Sequence, residues 1–335
     1  MVGAASLVAC SSGTAAQIGS TTGSATSSPS VAGSATTSAT SPAAGATTTA
    51  TTGPAPAPTG PALPAFTPWS PDANDVDPAV KLTAVQVVEA LLTHPASGAG
   101  ATAARQRLAA LGQDPGLVDA VLGLIGTTGA SIAEVVDVQY GGILATSSSV
   151  LVVMRVRTQA PDGTITQGGT TVDVRLVSAS PRWRVTELHP AVPGPAVSPL
   201  SAPARQVLAS SRITLPPASN ADVLSGQVHD SVLQALLTLS ASHTIGVSVV
   251  RSGHPTYVFG TGRLSDHPRG RAFDTWQIDG HAVVSSATPR SLVVSYMQAA
   301  AAAGSYNVGG PYLLPGFTYF SDATHHDHVH AGFRT

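Results

Sequence analysis

The stretch that decides the fold of the C-terminal half is Ser265-Asp-His267-Pro-Arg-Gly270-Arg-Ala-Phe-Asp274. His267 and Asp274 are seven residues apart, which on a helix would be about two turns. Pro268 and Gly270 oppose a helix between them. We therefore expect a turn that leads into a strand, with Gly270 permitting the bend.

The chain ends in a second histidine-rich stretch, His325-His-Asp327-His328-Val-His330-Ala-Gly-Phe333. In a strand, His328 and His330 point to one face, while the apolar residues between and after them point to the core. Nine of the eleven histidines lie after residue 201. Because Asp327 and an apolar strand pattern interrupt the run, a tag or a nonspecific metal scavenger is disfavoured. One face of this strand is therefore predicted to carry the chemistry.

The single cysteine, Cys10, limits the kinds of site that the chain can build. It excludes an intrachain disulfide and every cysteine-based zinc cluster. A metal ion in the folded part must be bound by histidine and carboxylate side chains.

The first stretch fits the pattern S-x-H-x-x-G-x-A-x-D at every fixed position. It resembles the zinc peptidases of the D-alanyl-D-alanine carboxypeptidase and dipeptidase family, which are grouped with lysostaphin-type enzymes and the hedgehog fold. The resemblance implies that His267, Asp274 and His330 bind Zn²⁺, with a fourth position left for water. It also implies an α+β zinc domain over residues 200–335.

The sequence leaves two candidates for the general base. Many relatives place a Glu three residues before the last ligand, and this chain has the shorter Asp327 there. Lysostaphin-type relatives use the first histidine of an H-x-H pair, a position that His328 fits. Arg251 follows an apolar strand, where relatives commonly place an arginine that stabilises the carbonyl oxygen in the transition state. Ser265, His254 and Tyr306 are predicted to contact substrate.

Residues 72–193 are predicted to form a separate α+β accessory domain. Apolar residues recur first at helical spacing and then in alternation, as in Val136, Val138 and Tyr140. Helices followed by antiparallel strands indicate an α+β fold. The order of elements is similar to the cone-shaped fold of the nuclear-transport-factor-like superfamily. Because the titratable residues are not clustered here, a spacer or accessory role is expected.

The N-terminal region is of a different physical kind. All 34 charged residues follow residue 71, and residues 11–71 consist almost entirely of Ser, Thr, Ala, Gly and Pro. Such a composition cannot bury enough apolar surface to fold, so a disordered tether is predicted. Residues 1–10 end in Leu7-Val-Ala-Cys10, which looks like the lipobox of bacterial lipoproteins and predicts lipidation of Cys10. The stretch before it is too short for a full signal peptide, so we expect the true start to lie upstream.

These features predict an exported protein, lipid-anchored on the outer face of the cytoplasmic membrane. Fifteen of the sixteen basic residues are Arg and only Lys81 is Lys, which indicates a GC-rich, actinobacterial genome. The net charge of −2 excludes a basic surface for nucleic acid. No stretch of 18 apolar residues occurs, so contact with the membrane is expected only through the lipid anchor.

We therefore expect a zinc-dependent peptidase that acts on peptidoglycan stem peptides as a D,D-carboxypeptidase or endopeptidase. One alternative is a noncatalytic, zinc-containing module that binds cell wall or protein. Another is a surface metal-binding lipoprotein with an exposed histidine cluster. The sequence assigns neither the cleaved bond nor the oligomeric state.

Overall fold

The structure, a computed structural model, describes residues 62–335. The predicted lipobox at Cys10 and the predicted tether up to residue 61 lie outside the described residues. Residues 62–71 contain no helix or strand, but Trp69 packs against the first hydrophobic cluster and its N–H donates to Glu89. The folded part therefore begins slightly before the predicted boundary at residue 72.

The first domain opens with helical elements, as the apolar spacing predicts. Proline at the first helical position suits the start of the first helix, because its missing N–H would have no partner there. The third apolar stripe forms a 3₁₀ helix that is interrupted at Val121. The elements are α1 (Pro78–Leu92), a short 3₁₀ turn (Ala96–Gly98), α2 (Ala101–Ala110) and the 3₁₀ helix Pro115–Leu124.

Four strands follow and form an antiparallel sheet in the order β1-β2-β3-β4. β1 carries bulges near Val136 and Gly141, where its register against β2 shifts. The strands are β1 (Ala130–Ile143), β2 (Ser147–Gln159), β3 (Ile165–Val177) and β4 (Arg184–Pro190).

Both faces of β2 are buried, which shows where the second domain lies. Val150, Val152 and Met154 belong to the core under the helices of the first domain. Leu151 and Val153 alternate with them and pack against Val249 of the second domain. The sheet of the first domain is therefore covered by its own helices on one face and by the second domain on the other.

The second domain mixes short helices with short strands around its own hydrophobic cluster. Its helices are α3 (Ala202–Ala209), α4 (Pro217–Leu224), α5 (Asp230–Ser240) and α6 (Arg290–Ala302). Its 3₁₀ turns are His267–Arg269 and Thr324–His326. Its strands are β5 (Ile213–Thr214), β6 (Ile245–Val247), β7 (Ala272–Ile278), β8 (His281–Ala282), β9 (Asn307–Gly309), β10 (Tyr319–Phe320) and β11 (Val329–Gly332).

These strands form one mixed sheet in the order β10-β9-β11-β7-β6-β5, with β8 paired to β7. β11 lies near the centre, antiparallel to both β7 and β9. Val329 and Ala331 are fully buried in the core, as the alternation at the end of the chain predicts. The two strands that carry the histidine motifs are therefore direct neighbours.

The described part of the chain is α+β, with a separate sheet and core in each half. The two halves nevertheless belong to one compact unit. Within residues 62–335, none of the helices has the length and apolar character needed to cross a membrane.

Candidate metal centre

A tight turn places His267 and Asp274 side by side. His267 opens the 3₁₀ turn, Gly270 follows with φ of 67°, and Asp274 lies in the middle of β7. This left-handed conformation favours glycine, and a Cβ at Gly270 would also overlap the carbonyl oxygen of Gln227. The predicted turn into a strand is confirmed.

Strand pairing brings His330 to the same place. His330 in β11 is the direct antiparallel partner of Asp274 in β7. Directly opposite residues present their side chains on the same face of a sheet. Three residues that the sequence separates by up to 63 positions therefore meet in one cluster.

The three side chains form a small triangle of donor atoms. Oδ1 of Asp274 lies 3.1 Å from Nε2 of His267 and 2.9 Å from Nδ1 of His330. The two nitrogens are 3.2 Å apart. Ligands that bind a tetrahedral ion at about 2.0–2.1 Å are about 3.3 Å from one another. The triangle thus has nearly the size that one metal ion requires, and His267 and Asp274 are fully buried.

His254 is the next histidine of this cluster. Donor atoms of His254, His267 and Asp274 lie within 4.8 Å of one another, so these residues could hold a metal ion. The ring of His254, however, stacks on that of His267 with 4.1 Å between centroids and 15° between planes. Nitrogen lone pairs lie in the ring plane, so two nearly parallel rings cannot both point at one ion. The rings of His267 and His330 are inclined at 57°, which suits shared ligation better.

Hydrogen bonds hold the ligand atoms in place. Nδ1 of His267 is 2.9 Å from the carbonyl oxygen of Val250. Because a carbonyl oxygen only accepts, Nδ1 carries the proton and the lone pair of Nε2 faces the cluster. Oδ2 of Asp274 accepts from Nε2 of Gln139 at 2.7 Å. Partners of this kind fix the orientation of metal ligands in known sites.

The charges of the cluster favour cation binding at neutral pH. Burial raises the pKa of Asp274, but His267 and His328 outweigh it and hold that pKa well below its usual range. Burial lowers the pKa of His330 to about 4, against the opposing effect of Asp274. The cluster therefore presents a carboxylate and a neutral imidazole, which are the forms that bind metal.

His328 and Asp327 form a pair beside the cluster. Nδ1 of His328 donates to Oδ1 of Asp327 at 2.6 Å, and Nε2 lies 3.8 Å from Asp274. Burial alone would lower the pKa of His328, but the carboxylates of Asp274 and Asp327 raise it to about 9. Oδ2 of Asp327 accepts from Nζ of Lys81 at 2.6 Å and from the N–H of Tyr140 at 3.2 Å. Both oxygens of Asp327 are therefore engaged by neighbouring groups.

Lys81 comes from helix α1 of the first domain and is 1% exposed. It also pairs with Asp75. Burial lowers the pKa of Lys81, yet Asp327 and Asp75 outweigh burial and raise it above its ordinary value. For Asp327, burial raises the pKa and Lys81 and His328 lower it, with a net decrease. The pair is thus an ammonium and a carboxylate buried between the domains.

A cavity of about 480 Å³ opens at the cluster. Its lining includes His254, Ser265, His328 and His330 of the second domain, and residues 140–143 of β1 with Leu144 after it. Asp327 is not among the lining residues. The size lies within the range of ligand-binding cavities, about 300–1,000 Å³.

The structure does not bring every predicted residue to this cavity. The guanidinium of Arg251 lies 3.3 Å from the carbonyl oxygen of Pro193 and 3.6 Å from Asp222, and it borders a smaller cavity. Arg251 is not among the residues that line the larger cavity, and its predicted role at the carbonyl oxygen stays a prediction. Tyr306 donates to Asp266 at 2.6 Å, and its neighbour Asn307 lines the cavity instead.

The other two predicted contact residues do lie at the cavity. Oγ of Ser265 is 3.4 Å from Nδ1 of His254 and accepts from the N–H of His267 at 3.4 Å. His325 also lines the cavity and pairs with Asp322 at 2.7 Å.

The sequence did not predict the residues that the first domain contributes to the surroundings of the cluster, chiefly Lys81 and Gln139. A signal existed for Lys81, since it is the only lysine beside fifteen arginines. No sequence signal singles out Gln139, which occupies a polar position in an alternating strand.

Comparison of the chain with protein-family models, with curated proteins and with solved structures gives no significant match. The residues and their geometry therefore carry the functional assignment alone.

Proposed function

We propose that this chain is a zinc-dependent peptidase that hydrolyses peptide bonds of peptidoglycan stem peptides, as a D,D-carboxypeptidase or endopeptidase. The observation that carries the proposal is the buried triangle of His267, Asp274 and His330, with His328 beside it at the wall of a cavity. The proposal includes the fold resemblances of both domains and the lipid-anchored location.

The donor set supports zinc. Two imidazoles and one carboxylate are a common set in catalytic zinc sites, which keep one further position for water. A bound Zn²⁺ supplies a water of lowered pKa, about 7, and polarises the carbonyl group of the substrate. The buried, ionised Asp274 offsets part of the charge of such a cation.

Of the two candidates for the general base, the geometry favours His328. Its Nε2 faces the cluster, and its ring lines the cavity, so it can reach a water molecule or substrate there. Asp327 donates no proton and accepts from three groups, which suits an orienting role for His328. A general base of this kind contributes about 10²–10⁴-fold to the rate.

The substrate class rests on the family resemblance and the predicted location. The cavity is large enough for a short peptide segment, and Phe259, Phe320 and Arg263 line it. The carboxylates of Asp266 and Asp322 also line the cavity, so the lining suits a short peptide without selecting a terminal carboxylate.

One observation favours the noncatalytic alternative. Asp327 occupies the position at which many relatives carry a glutamate base, and Lys81 neutralises it. If His328 does not take over the role of base, the site would bind zinc and peptide without cleavage.

The test is hydrolysis of purified muropeptides by the full zinc-loaded chain, followed by mass spectrometry. We expect cleavage by the wild-type chain and by His281→Ala, whose histidine is exposed and remote from the cluster. His330→Ala should lose cleavage because the metal loses a ligand. A wild-type chain that binds zinc but cleaves no stem peptide would establish the binding module instead.

A further inference from the structure

We propose that the first domain helps to form the metal centre. Gln139 of this domain is the positioning residue that orients the proposed ligand Asp274. This inference rests on the proposed metal site, but it does not depend on the identity of the substrate.

Gln139 lies on the face of β1 that meets the second domain. Its neighbours Val138 and Tyr140 point into the core of the first domain, so Gln139 points to the opposite face. In an isolated sheet this face would contact water, yet Gln139 is 0% exposed. A buried polar side chain requires hydrogen-bond partners, and those of Gln139 all lie in the second domain.

Both ends of the amide are paired. Nε2 donates to Oδ2 of Asp274 at 2.7 Å, and Oε1 accepts from the hydroxyl of Ser248. Ser248 Oγ also lies 3.3 Å from the backbone oxygen of Asp274. The opposite amide orientation would set Oε1 against a carboxylate, so the network admits only one arrangement.

The consequence concerns the other oxygen of Asp274. With Oδ2 held by Gln139, the carboxylate cannot rotate, and Oδ1 stays in the triangle with His267 and His330. An anionic acceptor makes this hydrogen bond stronger than a neutral one. Partners of metal ligands typically contribute 10–100-fold to metal affinity.

The two domains pack closely against each other, and this packing holds Gln139 beside Asp274. A Cβ at Gly142, three residues along β1, would overlap the side chain of Phe259 in the second domain. Lys81 and the N–H of Tyr140, both from the first domain, also bind Asp327 of the second domain. The contact of Gln139 with Asp274 is therefore part of an extended interface.

The experiment compares zinc affinity of the full chain with that of Gln139→Met, which keeps the side-chain length but removes the amide. The matched control is Gln113→Met, because Gln113 is also buried and its side chain bonds to Trp183 and Val185 within the first domain. Affinity is measured by competition with a chromophoric chelator. The visible spectrum of the Co²⁺-loaded chain reports the ligand geometry, and urea unfolding reports stability.

We expect Gln139→Met to bind zinc about 10- to 100-fold more weakly and to change the Co²⁺ spectrum. Gln113→Met should lose stability but keep the wild-type affinity and spectrum. Equal zinc affinity in wild type and Gln139→Met would overturn the inference. If wild type itself binds no zinc, the proposed function fails instead.

A second variant covers the case in which Gln139→Met does not fold. Ser248→Ala removes the hydroxyl that holds Oε1 of Gln139 and leaves the amide in place. We expect a smaller, severalfold loss of zinc affinity. An unchanged affinity in Ser248→Ala would then count against the inference.

Discussion

At the scale of single residues, the roles of His328 and Asp327 depend on which of their atoms face the histidine cluster. Nδ1 of His328 is held by Asp327, so its Nε2 is directed to the cluster. Asp327 is enclosed by Lys81, His328 and the N–H of Tyr140. A carboxylate with these three donors is a weak base. Despite burial, the neighbouring carboxylates raise the pKa of His328 to about 9, so without a bound cation its Nε2 carries a proton. A bound metal cation would favour the neutral imidazole, which can accept a proton from water.

The first prediction at this scale separates the two residues. His328→Gln should retain zinc and lose about 10²–10⁴-fold in kcat. Asp327→Asn should also retain zinc but lose less activity, because the amide oxygen can still accept from Nδ1 of His328. Steady-state kinetics on muropeptides, together with metal content, would measure both. An inactive Asp327→Asn together with a fully active His328→Gln would instead assign the base to Asp327.

At the scale of elements, β1 determines what the first domain contributes. The bulge near Val136 shifts the register of the strand against β2, and the residue after it is Asp137. Asp137 is partly exposed, but its Oδ2 is enclosed and has no hydrogen-bond partner among the described residues. Burial and the nearby charge of Asp327 raise the pKa of Asp137 to about 7, although Lys81 and His328 lower it.

This pKa predicts a pH dependence of stability. The folded-state pKa of about 7 lies above the ordinary 3.8, so the folded chain holds a proton that the unfolded chain has released. The contribution of Asp137 to the free energy of unfolding should therefore fall as pH rises from about 4 to 7 and then level off. Asp137→Asn removes this contribution, so it should match wild type near pH 4 and exceed it at pH 8 by about 1–3 kcal/mol, the cost of an unsatisfied buried group.

Urea unfolding at the two pH values measures the effect. Glu134→Gln is the matched control, because Glu134 lies on the same strand and its ion pair with Arg157 is largely exposed. This control should leave the pH dependence unchanged. A variant Asp137→Asn with the wild-type pH dependence would contradict the account of this bulge.

Local patterns predicted most elements of the fold, because helical spacing and strand alternation follow from which side of an element is buried. The alternation through Val138 and Tyr140 predicted β1, and the proline and glycine of the first motif predicted the turn before β7. The resemblance implied that His267, Asp274 and His330 lie together, and the structure brings their side chains into one cluster. Arg251 borders a smaller cavity, and no local sequence pattern indicates that its guanidinium meets Pro193 and Asp222 there.

At the scale of the whole molecule, the two domains share their buried surface. Leu151 and Val153 on β2 pack on Val249, and Gln139 and Lys81 reach across to the metal-centre side. These contacts join residues more than 90 positions apart, and nothing in the local pattern specifies which polar residue will face the partner domain. The sequence patterns indicate two α+β regions, each of which has its own sheet and core, but they do not predict the contacts between them.

This arrangement also bears on how the protein must be studied. A fragment that begins at residue 200 would lack Lys81 and Gln139 and leave Asp327 and Asp274 without these partners. Removing one partner of a buried ion pair typically costs about 3–5 kcal/mol. Metal binding and activity should therefore be measured on chains that contain both domains.

The most direct test of the central claim is the metal content of the full chain after equilibration with a mixture of zinc, iron and magnesium at neutral pH. The account predicts about one zinc per chain, as expected for a site of two histidines and one carboxylate, and loss of that zinc in Asp274→Asn. A chain that takes up no zinc, that prefers iron, or that binds zinc equally well as Asp274→Asn would contradict it.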